Sequence, residues 1–322
     1  MQVKKAVVRS NMALRKKDGP AFLYDLRHNK MLLFMLLPAV VFFIIFSYLP
    51  MAGIVLAFKE LDFSLGIFSS PWVGFKNFVF FFTSGKAWLV TRNTVLYNLA
   101  FIITGNLLNL IIAIVLSEMA GKFYKKVCQT LLLMPYFISW VVVNAILYNI
   151  LNFEYGQMNT ILARLGMERV DVYGQPEYWK YIIVIINLWK GMGYGSIVYL
   201  AAIMGIDREI YEAGDIDGAS VFQQIWYITL PSLRPTIFIL VLLSIGNIFR
   251  GNFDMFYQII GNNGMLFNAT DVIDTFVFRS LVQVRELGMS AAAGFYQSVL
   301  CFVILMVSNA VVRRVESDYA LF

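Results

Sequence analysis

Charged residues, histidine and cysteine are all scarce in this sequence. Of its 322 residues, 14% are charged, one is histidine and two are cysteine, whereas 59% are hydrophobic. A soluble domain usually contains roughly 25% charged and about 45–50% apolar residues. The excess of apolar side chains cannot be buried in a core of this size, so lipid must be the solvent for much of the chain.

The same scarcity excludes several kinds of chemistry. Cys128 and Cys301 lie within apolar segments, which argues against a disulfide framework or a metal site. His28 lies in a polar stretch, and the sequence offers no metal cluster or nucleophile–base pair for an intramembrane enzyme. No Gly-x-x-x-x-Gly-Lys-Ser/Thr motif occurs, so we expect this chain to bind no nucleotide or other cofactor. The glycine-rich stretch 191–195 lies inside an apolar segment and indicates close helix packing.

Six apolar segments are long enough to cross a bilayer, which takes about 20 residues of helix. The second carries several asparagines, and we expect these amides to face protein because an unpaired amide facing lipid is costly. The first is too long for the core of a signal peptide, so we interpret it as a retained membrane helix. The predicted spans are about 31–58, 93–117, 127–150, 179–204, 233–259 and 288–312.

These segments predict an all-α membrane protein with six transmembrane helices in one membrane domain over residues 31–312. Residues 1–30 would form a basic cytoplasmic tail, and residues 313–322 would form a second, short one. Within the first tail, residues 16–30 have the pattern of a short amphipathic helix lying on the inner membrane surface.

The orientation follows from the number of spans and the placement of basic residues. An even number of spans puts both termini on one side, and the densest short basic segments are the N-terminal tail and the 119–126 loop. Short basic segments stay in the cytoplasm, so we predict that both termini and the 205–232 loop are cytoplasmic. The net charge of +6 therefore reflects membrane topology, not binding to nucleic acid.

The 205–232 loop has the sequence of a compact helical knob. Asp207 can cap a helix that runs to about residue 217, and Gly218 should then break it. Helix resumes in the following residues, and Pro231 and Pro235 mark the beginning of the next span. Such a knob would leave the apolar side chains of Tyr211, Ile216 and Phe222 exposed in the cytosol, where we expect them to fill a groove in a partner.

This loop closely resembles the EAA loop of ABC-importer permeases. Glu-Ala-Gly at 212–214 leads, Gly218 follows at the expected offset, and Ile228, Leu230 and Pro231 close the motif. Gly214 departs from the alanine of the family pattern but keeps that position small. The resemblance implies that the loop docks into a separate ATPase subunit. The coupling residues that it assigns are Tyr211, Glu212, Ala213, Gly214, Asp217, Gly218, Ala219, Phe222, Ile228, Leu230 and Pro231.

Other segments extend the resemblance over nearly the whole chain. They are similar to the carbohydrate branch of type I ABC-importer permeases, and within it to permeases for pectin- or alginate-derived oligosaccharides. The resemblance implies a plasma-membrane permease paired with a second, homologous permease, two ATP-binding subunits that use ATP and magnesium, an external solute-binding protein and an oligosaccharide substrate. The matching segments are 72–78, 92–94, 129–140, 156–162, 189–202, 271–276 and 291–297.

Polar and aromatic residues within spans three to five suggest a passage for sugars. A charge inside a span costs about 2.5–3.5 kcal/mol on insertion scales and needs a reason. Lys190 and Arg250 could attract the carboxylates of an acidic sugar, and Arg250 could pair with Asp254 on one helix face. Alternatively, Lys190 ties helices together or reaches toward the headgroups, and the aromatic rings form a packing seam or an interfacial belt. The candidate pathway residues are Trp140, Asn144, Tyr148, Trp189, Lys190, Tyr194, Asn247, Arg250, Asn252 and Asp254.

An ion-coupled secondary transporter of a polar solute is the alternative function. It predicts an inverted repeat with broken helices and a buried ion or proton site. The sequence shows no convincing repeat, and its single histidine lies in the N-terminal tail. These observations favour the ABC-importer permease.

Overall fold

The computed structural model describes residues 30–315, in which helices are joined by turns and loops and one isolated bridge links Lys59 and Trp72. The described residues fall into two compact units, which divide between Val55 and Leu56.

The first unit contains helix α1, Lys30–Phe43, followed by a π-helical turn at Ile44–Tyr48. The backbone then tightens into a 3-10 helix, Leu49–Phe58, which passes beyond the end of this unit. Pro50 has no N–H with which to continue the wider hydrogen-bond pattern, which accounts for the change of helix type. Together, Lys30–Phe58 makes a candidate membrane span of 29 residues.

The second unit contains fourteen further α-helices among the described residues. Short π-helical or 3-10 turns at Ile225–Thr229, Gly264–Leu266 and Ser280–Val284 join some of them. The helices are α2 Gly66–Ser69, α3 Lys76–Thr83, α4 Lys86–Glu118, α5 Lys122–Phe137, α6 Trp140–Leu151, α7 Gln157–Arg164, α8 Pro176–Met204, α9 Arg208–Ile216, α10 Val221–Gln224, α11 Leu230–Gly246, α12 Phe253–Ile260, α13 Phe267–Thr270, α14 Ile273–Arg279 and α15 Leu287–Val315.

Five helices among residues 30–315 are long and apolar enough to cross a membrane, and one bent pair would make a sixth. The bent pair is α5 and α6, whose axes differ by 93°. This confirms the predicted all-α membrane fold. The five single helices are Lys30–Phe58, Lys86–Glu118, Pro176–Met204, Val221–Gly246 and Leu287–Arg314.

The predicted third span, 127–150, is bent and not straight. Pro135 lies in the last turn of α5, and Ser139 caps α6 by accepting the N–H of Val142 at 3.4 Å. A proline near a helix end and a capping serine just after it are the ordinary signals of a helix boundary. A hydropathy window records composition only, so it merges the two helices.

The predicted fifth span, 233–259, also contains a break. Helix α11 ends at Gly246, and α12 begins only at Phe253. In the other direction the helix is longer than predicted, because Val221–Gly246 runs without interruption through Pro231 and Pro235. Membrane helices tolerate such prolines when other groups satisfy the freed backbone.

The predicted tails lie largely outside the described residues. Residues 1–29, which include His28 and nearly all of the amphipathic helix predicted at 16–30, are among those not described. At the other end, α15 continues through Arg313 and Arg314 to Val315, beyond the predicted end of the last span at 312.

Helices α4 and α8 form the centre of the second unit and run in the same direction. In the first half of each helix, Tyr97 and Trp179 belong to one buried cluster, to which α12 also contributes. Near their last turns, Leu116 and Tyr199 belong to another, which Leu233 of α11 joins. The start of α11 therefore lies beside the ends of α4 and α8.

Glycines allow α8 to pack closely against its neighbours. A Cβ atom added at Gly193 would lie 2.0 Å from the Leu132 carbonyl oxygen, and one at Gly195 would lie 2.1 Å from the Asn109 amide. At Gly191 the added atom would meet nothing within 4 Å. The interpretation of stretch 191–195 as a packing surface is confirmed at two of its three glycines.

The asparagines of α4 face protein, as predicted. Asn93 is buried and donates to the carbonyls of Asn268 (3.2 Å) and Asp271 (3.0 Å). Asn106 accepts the hydroxyl of Tyr199 at 2.7 Å. These bonds fasten α4 to residues 268–271 and to α8, and the amides have protein partners in place of water.

Candidate coupling loop and substrate pathway

The 207–231 segment, hereafter the coupling knob, begins with a capped helix. Asp207 accepts the N–H of Glu209 at 3.1 Å, and α9 runs from Arg208 to Ile216. Gly218 follows with φ of +73°, a left-handed conformation that glycine adopts without strain. The predicted cap, helix and glycine break are all confirmed.

A second cap starts the other half of the knob. The backbone N–H of Ser220 donates to Oε1 of Gln223 at 2.7 Å, as part of a capping box that begins α10. The helix then passes through the π-helical turn Ile225–Thr229 into α11. The coupling knob therefore consists of α9 and the beginning of one long helix, Val221–Gly246, against which α9 is folded. This end of the long helix is the one predicted to face the cytosol.

Three contacts hold α9 against this long helix. The hydroxyls of Tyr211 and Thr229 lie 2.9 Å apart, and Gln224 donates to Asp215 at 2.6 Å. Between them, Gly214 lies so close to Ile228 that an added Cβ would be 3.3 Å from its Cδ1 atom. The small residue at 214 thus permits contact inside the knob itself.

The remaining motif residues differ in exposure. Ile216 and Phe222 are 87% and 85% exposed, although both are large and apolar. Tyr211, predicted with them to fill a groove in a partner, instead bonds within the knob. Glu212, Ala213, Asp217 and Gly218 are exposed, whereas Gly214, Ala219, Ile228, Leu230 and Pro231 are half-buried.

Lys190 occupies the bend between α5 and α6. Its ammonium donates to the carbonyls of Pro135 (3.2 Å), Tyr136 (2.7 Å) and Ile138 (2.5 Å). It also lies 5.1 Å from the ring centroid of Trp140. All three N–H donors of an ammonium have partners here, and the end of a helix attracts positive charge. This geometry favours Lys190 as a tie between helices.

A cavity of about 550 Å³, lined by five asparagines among many apolar residues, opens between α4, α8 and α11. Its polar lining is made of amides and hydroxyls, and its lining contains no charged residue. Of the predicted pathway residues, Tyr194 and Asn247 line it. Its other polar side chains are Asn98, Asn106, Asn109, Asn187, Tyr199 and Ser244.

A second cavity of about 280 Å³ lies between α11 and α15. Asn247 belongs to both cavities, and Arg250 lines the second one. The predicted pairing of Arg250 with Asp254 on one helix face is wrong, because Arg250 precedes α12 and Asp254 lies within its first turn. Asn252 caps that helix by accepting the N–H of Met255 at 3.2 Å.

The remaining predicted residues lie away from these cavities. Asn144 and Trp189 are not among the residues lining them, and Trp189 is 37% exposed. Tyr148 lies at the end of α6, where its ring contacts Tyr155 and Tyr173 at 6.0 and 5.7 Å between centroids. Burial raises the pKa of Tyr173 to about 12, so this hydroxyl stays protonated at neutral pH.

The sequence indicates some of the cavity-lining residues that are absent from the predicted pathway. The asparagines at 98, 106 and 109 were expected to face protein, but the helix that they face could not be deduced. Asn187 is in register with them because α8 runs parallel to α4. Recurrent asparagine in an apolar span is thus the signal that could have identified this cavity.

Comparison with known proteins identifies the family. Residues 105–317 match the family described as "Binding-protein-dependent transport system inner membrane component". Two proteins of Bacillus subtilis (strain 168) are each 30% identical to the chain. One is Protein LplB, over 94% of this chain and 98% of its own length. The other is the polygalacturonan/rhamnogalacturonan transport system permease protein YteP, over 93% of each.

Solved structures share the fold. A chain from a bacterial ABC transporter involved in the import of the acidic polysaccharide alginate is similar with a TM-score of 0.83 and 33% identity, over 92% of this chain and 100% of that one. The bacterial alginate ABC transporter in complex with an alginate pentasaccharide-bound periplasmic protein gives a TM-score of 0.81 and 33% identity, over 91% and 97%.

Membership of this family defines the general role of the chain. It is a multi-pass protein of the bacterial inner membrane, it works with a periplasmic binding protein, and it is not itself catalytic because the ATPase is a separate subunit. The chain therefore belongs to the binding-protein-dependent transport system inner membrane components, as the permease subunit of an ABC transporter.

Proposed function

We propose that this permease forms one half of the pathway by which oligosaccharides of acidic polysaccharides are imported, and that the coupling knob links it to the ATPase. The observation that carries the proposal is the exposure of Ile216 and Phe222 on a rigid, doubly capped knob. The same knob carries the EAA-type motif of importer permeases.

The apolar tips of the knob need a partner. Exposed apolar side chains clustered on a polar loop are typical of an interaction site, and a short helix inserted in a groove is a common mode of recognition. Burying a large apolar side chain contributes about 1.5–3 kcal/mol. Two such side chains can therefore anchor an ATPase subunit, while the internal bonds of Tyr211 and Gln224 keep the knob rigid enough to transmit force.

The amide-lined cavity suits sugar hydroxyls. An asparagine side chain can donate and accept, and so can the hydroxyls of Tyr194 and Ser244. The cavity volume of about 550 Å³ lies within the usual range of ligand pockets, about 300–1,000 Å³. This supports its assignment as the half of the pathway that belongs to this subunit.

An acidic substrate is supported by the relatives whose names specify polygalacturonan/rhamnogalacturonan and alginate transport. Arg250 is the predicted pathway cation that lines a cavity, beside the amide cavity at Asn247. Lys190 is taken up by backbone carbonyls. Arg250 is thus the better candidate to meet a substrate carboxylate, and Lys190 holds the α5–α6 bend.

The full transporter in this proposal contains two different permeases, two ATPase subunits and an external binding protein. Basic residues concentrate in the N-terminal tail and the 119–126 loop, which favours cytoplasmic termini and a cytoplasmic knob. ATP-driven closure of the two ATPase subunits would then move the knob and alternate access to the pathway, as in other rigid-body transitions.

The double variant Ile216→Asp/Phe222→Asp tests the coupling proposal. Losing two buried apolar anchors of about 1.5–3 kcal/mol each predicts that affinity for the ATPase subunit falls on the order of 10²–10⁴-fold. Co-purification of the ATPase and ATP-driven uptake of a galacturonate tetrasaccharide into proteoliposomes are the two measurements. A glucose tetrasaccharide, measured in parallel, tests the preference for acidic sugars.

The matched control is Leu165→Asp, because Leu165 is 68% exposed in the turn after α7 and lies outside the knob. It should leave ATPase co-purification unchanged. Retention of the ATPase by the double knob variant would contradict the coupling proposal. Uptake by the permease without any ATPase, driven by a proton or sodium gradient, would support an ion-coupled transporter instead.

A further inference from the structure

The break between α11 and α12, residues 247–252, leaves backbone groups without helical partners. Asn98 of α4 satisfies two of them, because its amide donates to the carbonyls of Ile248 at 3.0 Å and Arg250 at 3.1 Å. These bonds join residues about 150 positions apart. Non-helical backbone at membrane depth persists only where protein or a polar cavity satisfies it.

Two further side chains bond to the backbone of the break. Gln297 of α15 donates to the carbonyl of Phe249 at 2.8 Å and to Oδ2 of Asp274 at 3.0 Å. The same Asp274 oxygen accepts the N–H of Gly251 at 2.6 Å. A Cβ atom at Gly251 would lie 2.8 Å from Cγ2 of Val272, so the backbone approaches α14 as closely as glycine allows.

Asp274 is suited to accept hydrogen bonds in this position. Burial raises the pKa of its carboxyl, while the Gly251 N–H, the Gln297 amide and the nearby Arg250 guanidinium act in the opposite direction. An asparagine at this position could still accept both bonds through its carbonyl oxygen, whereas a leucine could accept neither.

The break is the far end of the helix that carries the coupling knob. Val221–Gly246 is one helix of 26 residues, and at about 1.5 Å per residue it is a rod of about 39 Å. Its last part lines both cavities, which share Asn247 at the start of the break. If the knob moves and this helix moves with it, the movement therefore reaches residues 247–252.

We propose that Asn98, Asp274 and Gln297 are positioning residues that fasten this break to α4, α14 and α15. They pass the displacement of the rod to the helices around the two cavities. This inference rests on the proposed coupling function, since it needs an ATPase that moves the knob. It adds the structural element at which that movement reaches the pathway.

The test uses the complete transporter in proteoliposomes, with its second permease, ATPase subunits and binding protein. The variants Gln297→Met and Asp274→Leu remove bonds to the break with little change in side-chain shape, and neither residue lines the 550 Å³ cavity. We expect each to assemble, to retain ATPase activity stimulated by the binding protein, and to transport fewer molecules per ATP. The expected drop in that ratio is about tenfold, within the range of coupling between sites.

Two comparisons separate positioning from general damage. Asn149→Leu is the control for Gln297→Met, because the Asn149 amide is exposed and bonds within its own helix, to Ala145 at 2.8 Å. It should leave the transport-to-ATP ratio unchanged. Asp274→Asn keeps the acceptor, so it should recover about half or more of the ratio that Asp274→Leu loses, as expected when most of the bonding energy is kept.

Several outcomes would overturn the inference. One is an unchanged ratio in both variants, and another is a parallel fall in uptake and ATPase activity. If Gln297→Met does not assemble, the milder Gln297→Asn replaces it, and failure of that variant to assemble would show that Gln297 is merely structural. If the unmodified transporter shows no ATP-dependent uptake, the proposed function fails first, before any variant is compared.

Discussion

The coupling knob and the break at 247–252 lie at the two ends of one helix, but they are held in opposite ways. The knob is stabilised by residues close in sequence, such as Asp207 with Glu209 and Ser220 with Gln223. The break is stabilised by side chains that come from elsewhere, 23 to about 150 residues away. A local device can be recognised from a short pattern, whereas a long-range one becomes visible only when the fold brings its parts together.

The segment 271–279 is also held by a distant side chain, since Asn93 donates to the Asp271 carbonyl at 3.0 Å, and it offers the largest expected effect. Asp271 and Arg279 form a buried ion pair, with Arg279 also 3.8 Å from the ring centroid of Phe267. Arg279→Ala leaves a buried carboxylate without its cation, which typically costs about 3–5 kcal/mol. We expect a lower thermal unfolding midpoint for the solubilised permease, measured by tryptophan fluorescence.

An exposed ion pair on the same chain is the control. Lys76 and Glu60 lie 3.0 Å apart with side chains 67% and 62% exposed, and such pairs contribute only about 0–1 kcal/mol. Lys76→Ala should therefore barely change the midpoint. Adding Asp271→Asn to Arg279→Ala should restore part of the loss, since it removes the unpaired charge. If Arg279→Ala and Lys76→Ala change the unfolding midpoint equally, the stability of segment 271–279 does not depend on its buried pair.

The glycines of α8 allow a sharper test of long-range packing, with an intermediate effect. In Gly193→Ala the new methyl would overlap the backbone of Leu132, 61 residues earlier in the chain, and overpacking of this kind costs about 1–3 kcal/mol. Gly191→Ala adds the same methyl where nothing lies within 4 Å. There the change should be neutral or stabilising by about 0.5–1 kcal/mol, because alanine favours helix.

Thermal unfolding of the two alanine variants, measured side by side, decides the question. We expect Gly193→Ala to unfold at a lower temperature than the unmodified chain and Gly191→Ala to unfold at the same or a higher one. Identical midpoints would mean that α5 shifts freely relative to α8. The tie that Lys190 makes to the end of α5 would then be too weak to fix the two helices.

The sequence predicts the local features of the coupling knob but not the long-range contacts of the break. Asp207, Gly218 and the resumption of helix after it were predicted correctly, because a cap and a left-handed glycine depend on neighbouring residues only. Asn98 was expected to face protein, and it does so. Its carbonyl partners could not be predicted, since nothing in a span of apolar residues indicates where another helix will break.

Lys190 shows most clearly what cannot be predicted from the sequence. Its charge within a span indicated either substrate attraction or a tie between helices, and residue type and spacing could not decide between them. The three carbonyls around its ammonium lie 52 to 55 residues earlier in the chain. They are available only because α5 ends there, and that end was hidden inside an apolar segment predicted as one straight span.

The smallest expected effect lies in the local region, at the one residue that departs from the family motif. Gly214→Ala places a methyl 3.3 Å from Cδ1 of Ile228 and 3.7 Å from Cγ of Gln224. The end of a flexible side chain can move by a few tenths of an ångström, and alanine gains about 0.8–1.0 kcal/mol of helix propensity over glycine. We expect affinity for the ATPase subunit to change by less than about threefold.

Combining Gly214→Ala with Ile228→Val distinguishes an internal contact from a partner contact. Valine lacks the Cδ1 atom that the new methyl would approach, so the two changes should compensate each other and be less than additive. Ile228→Val alone should cost about 0.5–1.5 kcal/mol of stability through the gap that it leaves. If Gly214→Ala instead weakens ATPase binding by more than about tenfold, with or without Ile228→Val, the surface at 214 must face the ATPase directly. The coupling knob would then depend on a distant partner for its packing, as the break does, and the contrast between local and long-range stabilisation would no longer hold.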